Sequence, residues 1–355
     1  MILKELDGVE TIYHPVILVA VLSLVLSSIL VPLFIRLSKV FNILDRPSAG
    51  SHKTHQQPIP YLGGLAVAIA SLLSSSLTVY YGEYSANFEI LALVVVLGLG
   101  AMALLGLVDD IKPKGAKQRL AIQTLISILV SIFLYELGFV QVQLMASTFL
   151  NISICAFLIV SICNFLNMFD NHDGSASGVS LLILLSFFII CLRTNQIYVA
   201  ILISALIAAI LPFLLWNLPP ARIYLGDSGA TFLGTAIGVV LVSIDFNTLS
   251  PSNSILTSFC LIGVLILDFS VAVLSRIRRR ISPMTGDKAH TAHRLMRLGL
   301  SKKQTTLAVW AITVWFGTHG ILTTYTEGLK LLSLYVSACF SLLVFAIFFM
   351  HQPDE

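Results

Sequence analysis

Long apolar stretches, separated by short polar segments, run along the whole chain. A stretch of about 20 apolar residues is long enough to cross the hydrocarbon core of a bilayer as a helix. Eleven stretches come close to this length, at 15–36, 61–80, 88–108, 119–138, 149–168, 175–192, 197–216, 228–244, 255–275, 305–324 and 331–350. The pattern therefore predicts an all-α, polytopic integral membrane protein with about eleven transmembrane helices.

Composition supports this class. Of the 355 residues, 57% are hydrophobic and 11% are charged, and the mean hydropathy is +0.93. Soluble domains carry roughly 25% charged residues, so an ordinary soluble protein is excluded. With no internal repeat, the chain is predicted to be a single transmembrane domain over residues 1–355. The five cysteines form no CxxC pair and lie in or beside apolar spans, which favours apolar packing over a zinc site or a disulfide framework.

The positions of the basic residues predict the orientation of the chain. Of the 21 lysines and arginines, 18 fall in or beside the connections after odd-numbered spans, and only Lys4, Arg193 and Lys330 fall on the opposite side. Cytoplasmic loops of membrane proteins are enriched in Lys and Arg. We therefore expect the N-terminus outside and the C-terminus in the cytoplasm.

A polar series ends the fifth apolar stretch. Residues 164–174 read Asn-Phe-Leu-Asn-Met-Phe-Asp-Asn-His-Asp-Gly, so Asn164, Asn167 and Asp170 share one helix face and Asp173 follows the helix end. Amides and acids are costly in lipid and usually mark functional sites there. We interpret this series as part of an active site.

Together with this series, the polar clusters fall on one predicted cytoplasmic face, in the segments 39–60, 109–119, 164–175, 217–229 and 276–304. They add the acids Asp109, Asp110 and Asp227 to the series. Carboxylate and amide oxygens suit Mg2+, which binds through one or two carboxylates plus substrate phosphates. Basic and histidine side chains that can hold phosphate charge occur in the same segments, so the inventory indicates phosphoryl transfer at the membrane surface.

Each cluster also has a simpler interpretation. The acidic pair 109–110 could cap a helix, the sequence 226–229 could be a turn into a helix, and the arginines at 276–280 are best explained as a topology anchor. Asp268 could contact the site or be paired within the bundle. The coincidence of all the clusters on one face favours function. The basic residues are spread over several loops, so the net charge of +3 gives no indication of nucleic-acid binding.

In this arrangement the chain resembles the polyprenyl-phosphate N-acetylhexosamine-1-phosphate transferases (glycosyltransferase family 4). The resemblance covers nearly the whole chain and rests on five motifs in order: Lys-x-His-x-x-Pro-x-Pro-x-x-Gly-Gly at 53–64, Asp-Asp at 109–110, Asn-x-x-Asn-x-x-Asp-x-x-Asp-Gly at 164–174, Leu-Gly-Asp-Ser-Gly at 225–229, and a histidine-containing loop after the ninth span. Eleven spans with an external N-terminus also match the N-acetylglucosamine-1-phosphate branch of the family.

The resemblance implies a Mg2+-dependent phosphoglycosyl transferase, with Mn2+ as an alternative cation. A sugar 1-phosphate, expected to be N-acetylglucosamine 1-phosphate, passes from a UDP-sugar to undecaprenyl phosphate. UMP is released and cell-envelope polysaccharide synthesis starts. The expected location is the bacterial inner membrane, with the active site facing the cytoplasm.

The resemblance also assigns roles to residues. Asn167 and Asp227 are the expected metal ligands, and Asp109 and Asp110 are expected to deprotonate or position the lipid phosphate. Asp173 matches the position that reads uracil, and Tyr224 matches the aromatic residue that stacks on it. The other candidates for substrate binding are Lys53, His55, Lys117, Arg119, Asn164, Asp170 and Arg294, joined by His290 and His293, which are also candidates for catalysis.

The chain departs from the family pattern in two places. Many relatives have Asp-Gly-x-Asp-Gly at 170–174, where this chain has Asp-Asn-His-Asp-Gly, and His-x-His-His at 290–293, where this chain has His-Thr-Ala-His. His172 could therefore touch the sugar or face solvent. Another UDP-N-acetylhexosamine remains an alternative substrate, and the missing triple-histidine signature of the peptidoglycan enzyme argues against a MurNAc-pentapeptide substrate.

Two other classes of function compete with the enzyme. A secondary transporter should place its acids near the membrane midplane, often in repeated halves, whereas these acids cluster at one face. An inactive membrane scaffold has no need for the complete set of acids. A homodimer is compatible with such a bundle.

Overall fold

The computed structural model of the protein describes residues 2–46, 58–141, 145–246, 251–282 and 287–351. Most of these residues are helical. The helices are α1 (Ile2–Val40), α2 (Gly63–Tyr81), α3 (Ala86–Ile111), α4 (Ala116–Glu136), α5 (Thr148–Phe169), α6 (Ser175–Arg193), α7 (Ile197–Asn217), α8 (Gly226–Ser243), α9 (Pro251–Leu261), α10 (Gly263–Arg278), α11 (Thr291–Arg297), α12 (Lys302–Thr323) and α13 (Gly328–Met350). Two short antiparallel strands, β1 (Leu44–Asp45) and β2 (Ile59–Pro60), lie between α1 and α2.

Ten helices in the described part of the chain are long and apolar enough to cross a membrane. They correspond to ten of the eleven predicted spans, which confirms a multi-pass membrane protein. The predicted span 255–275 is not one continuous helix, because α9 ends at Leu261 and α10 begins at Gly263. A Cβ at Gly263 would lie 2.5 Å from Cδ1 of Phe316, so the break lies where α10 approaches α12 too closely for any larger residue.

Helix α8 lies at the centre of the bundle. All but its first two residues are buried, and it packs against α2, α3 and α5. A Cβ at Gly234 or Gly238 would lie within 3 Å of the α5 backbone, at 2.7 Å from Cα of Cys163 and 2.8 Å from Cα of Ile159. Small residues therefore allow α5 and α8 to pack closely, as is common in membrane helices.

Hydrogen bonds join α1 to α7. Ser23 and Ser27 of α1 each donate a hydroxyl to a backbone carbonyl of α7, those of Ala205 and Ala209, over 2.6 Å. The five cysteines are free thiols and four of them are buried, in agreement with the predicted packing role. The ends of α3, α5 and α7 and the starts of α4, α6, α8 and α12 gather at one end of the bundle, where the described parts of the sequence motifs lie.

Candidate active site

A backbone ladder joins the start of α8 to the segment after β2. Tyr224 donates its N–H to the carbonyl of Pro60 over 2.7 Å. Gly63 and Gly64 donate theirs to the carbonyls of Tyr224 (3.2 Å) and Leu225 (2.9 Å). Two motifs from distant parts of the sequence therefore form one backbone unit directly before α8.

Asp110, in the last turn of α3, contacts the first turn of α8. Its Oδ1 accepts the backbone N–H of Asp227 (2.8 Å), and its Oδ2 accepts that of Ser228 (3.0 Å). Gly226 has a φ of +72°, and a Cβ there would lie 2.9 Å from Oδ2 of Asp110. Only glycine fits this position without strain or a clash, and negative charge is favourable at a helix N-terminus.

Asp109 and Asp227 share the guanidinium group of Arg119. Nη1 of Arg119 lies 2.6 Å from Oδ2 of Asp109 and 3.5 Å from Oδ2 of Asp227. The other oxygen of Asp109 accepts the backbone N–H of Lys114 over 2.6 Å. Arg119, which the sequence predicts to hold substrate phosphate, therefore contacts two acids where α3, α4 and α8 meet.

The end of α5 brings two amide groups to this place. Nδ2 of Asn164 donates to the carbonyl of Val160 (2.8 Å) and to Oε1 of Gln123 (2.9 Å), so only Oδ1 is left for a ligand. Oδ1 of Asn167, three residues further on, is buried without a hydrogen-bond partner among the described residues. Leaving a buried polar atom unpaired costs about 1–3 kcal/mol, so this oxygen is a candidate ligand for a cation.

The segment 170–174 is held by α12 and the turn after α7. Nε2 of His172 lies 3.0 Å from the carbonyl oxygen of Lys302. Oδ2 of Asp173 accepts the backbone N–H of Ala221 (3.2 Å) and lies 3.9 Å from Nζ of Lys302. Burial lowers the pKa of His172, so the ring is neutral at this contact. His172 does not simply face solvent, and its contact with a sugar stays a prediction.

Asn217, the last residue of α7, begins the predicted segment 217–229 but was not named as a site residue by the sequence analysis. Its Oδ1 accepts the hydroxyl of Ser177 (2.6 Å) and the backbone N–H of Gly174 (3.2 Å), and its Nδ2 donates to the carbonyl of Ile223 (2.9 Å). One buried amide therefore joins the start of α6, the end of α7 and the turn before α8. The only signal in the sequence is an amide at the end of an apolar span.

The loop after α10 forms a buried polar network. Arg276 is 2% exposed, and its Nη2 lies 2.9 Å from Oδ1 of Asp287 and 3.2 Å from Nε2 of His290. Nδ1 of His290 lies 2.8 Å from Oδ2 of Asp268, whose Oδ1 accepts the N–H and hydroxyl of Thr291. A guanidinium group only donates, so His290 accepts at Nε2 and donates from Nδ1. The network gives Arg276 buried partners and places Asp268 in a buried pair, while the role of the arginines at 276–280 as a topology anchor stays a prediction.

Arg294 lines neither of the two cavities described below. It is fully buried, and it donates from Nε to the carbonyl of Ala289 (2.7 Å) and from Nη1 to the carbonyl of Phe349 (2.8 Å). The structure therefore places this side chain between α11 and the end of α13, and its predicted contact with substrate stays a prediction.

The remaining predicted residues differ in their surroundings. His293 lines the same cavity, described next, as Asp173 and Tyr224. Burial together with neighbouring His290 lowers the pKa of His293, so its ring is uncharged at neutral pH. Lys117 is exposed on the first turn of α4. The predicted residues Lys53 and His55 lie outside the described residues.

A cavity of about 610 Å3, the acidic cavity, opens among these elements. Six aspartates line it: Asp45, Asp109, Asp110, Asp170, Asp173 and Asp227. Tyr224, His293 and Lys302 also line it. Burial and the surrounding acids raise the pKa of Asp170. Acidic side chains therefore outnumber basic ones in the wall of this cavity.

A second cavity, the apolar groove, runs between α4, α5 and α10 and measures about 970 Å3. Ile128 and Phe157 line it within the span of the helices, and Arg119, Asn167 and Arg276 line its polar end. Ile128 is twelve residues beyond the start of α4, which corresponds to roughly 18 Å along the helix. The groove suits a long apolar chain with an anionic end.

The acidic cavity and the apolar groove meet at Asn171 and Asp227, which line both. Nδ2 of Asn171 donates to the carbonyl of Met168 (3.2 Å), and its Oδ1 is buried without a partner among the described residues. The sequence analysis noted Asn171 only as a departure from the family pattern. Its position now makes it a candidate contact for a ligand that bridges the two cavities.

The residues at this junction fit a magnesium ion. Within the described ranges, no group of three or more His, Cys, Asp or Glu side chains is arranged to hold a metal. Asp227 and the unpartnered Asn167 both line the polar end of the apolar groove. Mg2+ typically binds through one or two protein oxygens and takes its other ligands from water and phosphate. Asp227 and Asn167 could supply the two protein oxygens when a phosphate-bearing ligand is bound.

These features define a class of protein: a multi-pass membrane protein with an acidic cavity at one end of the bundle that joins an apolar groove. Residues 91–245 match the model of glycosyl transferase family 4. The chain belongs to this family, which confirms the resemblance seen in the sequence motifs.

Three similar proteins illustrate the relationship. The chain is 27% identical over 313 residues to a probable undecaprenyl-phosphate N-acetylglucosaminyl 1-phosphate transferase of Bacillus subtilis, covering 86% of this chain and 84% of the relative. It is 25% identical over 302 residues to the undecaprenyl-phosphate alpha-N-acetylglucosaminyl 1-phosphate transferase of Escherichia coli, covering 82% and 79%. It is 30% identical over 243 residues to a phospho-N-acetylmuramoyl-pentapeptide-transferase of Halalkalibacterium halodurans, covering 64% and 74%.

Proposed function

We propose that this protein transfers a sugar 1-phosphate, N-acetylglucosamine 1-phosphate in the first instance, from a UDP-sugar to undecaprenyl phosphate and releases UMP. The reaction is Mg2+-dependent and starts cell-envelope polysaccharide synthesis. The names of the relatives from Bacillus subtilis and Escherichia coli support this donor sugar and this lipid acceptor.

One observation carries the proposal. Asp227 lies in the wall of both the acidic cavity and the apolar groove. A water-soluble sugar nucleotide and a membrane-embedded lipid phosphate need separate approaches to one point, and two cavities that meet at a carboxylate provide them. The reacting phosphates would meet there, beside the candidate metal ligands.

The acidic cavity is the proposed site for the nucleotide. Asp173 uses Oδ2 for the N–H of Ala221, which leaves Oδ1 for an N–H donor such as uracil. Tyr224 lines the same cavity, and burial followed by the nearby acids raises its pKa, so the ring stays a neutral phenol suited to stacking. Six aspartates in the wall would repel the diphosphate, which supports the proposal that a divalent cation enters with it.

The apolar groove is the proposed site for the lipid. Its apolar wall would hold the polyprenyl tail, and Arg119 and Arg276 would hold the phosphate at the polar end. Asp109 would accept a proton from the lipid phosphate or orient it for attack on the β-phosphate of the sugar nucleotide. Mg2+, held by Asp227 and Asn167, would neutralise charge that develops on the donor diphosphate.

The basic connections predict that this end of the bundle faces the cytoplasm, where UDP-sugars are made. The site is therefore proposed to face the cytoplasm from the bacterial inner membrane. Reporter fusions at the two termini would test the orientation: a cytoplasmic N-terminus or an external C-terminus would contradict it.

The decisive experiment measures UMP release by the purified protein from a panel of UDP-sugars, with undecaprenyl phosphate and Mg2+. We expect turnover with UDP-N-acetylglucosamine that stops when either the lipid phosphate or the metal is omitted. Turnover with a different UDP-N-acetylhexosamine would change the sugar but keep the reaction. No UMP with any sugar, from protein that still binds UMP, would refute the transferase.

A further inference from the structure

The paired acids at the end of α3 differ in what they contact. Both carboxylate oxygens of Asp110 accept backbone N–H groups of α8, those of Asp227 and Ser228. Asp109 instead binds the backbone of Lys114 and the side chain of Arg119, which also lines the apolar groove. A side-chain partner can turn toward an incoming phosphate, whereas a backbone partner in the first turn of a helix cannot.

We propose that Asp110 is a positioning residue that acts through Asp227, and that Asp109 alone of the pair reacts with substrate. This inference rests on the proposed function for its catalytic part. It separates two adjacent acids that the sequence motif presents as equivalent.

Three contacts hold Asp110 itself in place. The hydroxyl of Tyr61 donates to its backbone carbonyl over 2.7 Å, which ties the end of α3 to the segment after β2. Gly226 packs so closely that a Cβ there would lie 2.9 Å and 3.2 Å from the two carboxylate oxygens of Asp110. The third contact is the pair of hydrogen bonds to α8, in which each carboxylate oxygen of Asp110 accepts one backbone N–H.

The consequence is a fixed backbone beneath the candidate metal ligand. The first four N–H groups of a helix have no partner within it, and a carboxylate that accepts two of them holds the first turn in register. Because one of the two is the N–H of Asp227, displacing Asp110 displaces the carboxylate of Asp227 from the junction of the two cavities. In a variant of Asp110, the affinity for the metal should therefore fall more than the rate of the chemical step.

The test compares Asp110→Ala, Asp110→Asn and Asp109→Asn in the full-length protein. Amide hydrogen exchange, read by mass spectrometry over residues 226–230, needs no substrate and measures the cap directly. We expect exchange at least tenfold faster in Asp110→Ala, an intermediate rate in Asp110→Asn, which keeps one acceptor oxygen, and a rate within twofold of the wild type in Asp109→Asn. Unchanged exchange in Asp110→Ala overturns the proposal.

UMP release then separates positioning from catalysis. Asp110→Asn should keep at least a tenth of the wild-type kcat and need several times more Mg2+ for half-maximal rate, and Asp109→Asn should lose at least a hundredfold in kcat at any Mg2+ concentration. The same hundredfold loss in Asp110→Asn, with an unchanged Mg2+ requirement, overturns the division of roles. If the wild type releases no UMP, the proposed function fails while the exchange result still decides the cap. If Asp110→Ala does not fold, Asp110→Asn decides both measurements.

Discussion

Gly106 provides a sharp test of how closely α3 and α8 must pack at the site. A Cβ added there would lie 2.3 Å from the carbonyl oxygen of Asp227 and 2.6 Å from Cα of Ser228. Both neighbours are backbone, so no side-chain rotation relieves the clash. Ordinary contact begins near 3.4 Å, so the helices must separate by at least about 1.1 Å, the difference between 3.4 Å and 2.3 Å.

We therefore expect Gly106→Ala to lower kcat/KM for UMP release by about 100-fold, because a misplacement of about 1 Å at a reacting centre costs that much. Overpacking should also cost about 1–3 kcal/mol of stability, more than the roughly 1 kcal/mol that alanine gains over glycine in a helix. The assays are steady-state UMP release and the thermal unfolding midpoint in detergent.

Gly100 supplies the matched control on the same helix. The nearest atom to a Cβ there is Cδ1 of Leu72 at 3.8 Å, which is ordinary van der Waals contact. Gly100→Ala should leave kcat/KM within twofold of the wild type and keep or raise the unfolding midpoint. Wild-type kcat/KM in Gly106→Ala would show that the first turn of α8 need not be held at this distance from α3.

Three further substitutions test separate parts of the site. Asp227→Ala should abolish Mg2+-dependent UMP release and the Mg2+-induced rise in thermal stability, since it removes the carboxylate at the junction; retention of both would exclude it as a metal ligand. Tyr224→Ala should weaken inhibition by UMP about tenfold while Tyr224→Phe stays close to the wild type, and equal inhibition of all three proteins would argue against stacking. Arg276→Lys should raise KM for the lipid phosphate at least tenfold, with little change in KM for the UDP-sugar. The reason is that lysine cannot replace the planar contacts of Arg276 to Asp287 and His290. A change in KM confined to the UDP-sugar would place Arg276 on the donor side.

The transmembrane helices were largely predictable from the sequence, because crossing a bilayer requires about 20 apolar residues and every internal backbone group satisfied within the helix. Ten of the predicted spans therefore correspond to single helices. The stretch 255–275 was predicted as one helix because its hydropathy is continuous, whereas the structure has a break at Ile262, next to the close approach of Gly263 to Phe316. That distance is a property of two helices together.

The candidate site was likewise predictable from the sequence only in part. Acids and amides in apolar surroundings are visible in the sequence because lipid penalises them, so Asn167, Asp173 and Asp227 could be predicted as candidate site residues. The contact partners were not visible, since the cap that Asp110 makes on α8 and the pairing of Arg276 with Asp287 and His290 arise only when separate helices pack.

By itself, the sequence determined that this is a polytopic membrane protein whose acids, amides and cations collect at one face, because hydropathy and charge are local properties of the chain. Tertiary structure alone decided which of two adjacent acids caps a helix, that Arg294 is buried between helices, and that Asp227 stands where the acidic cavity meets the apolar groove. Those facts depend on distances between helices far apart in sequence, and helix packing sets these distances.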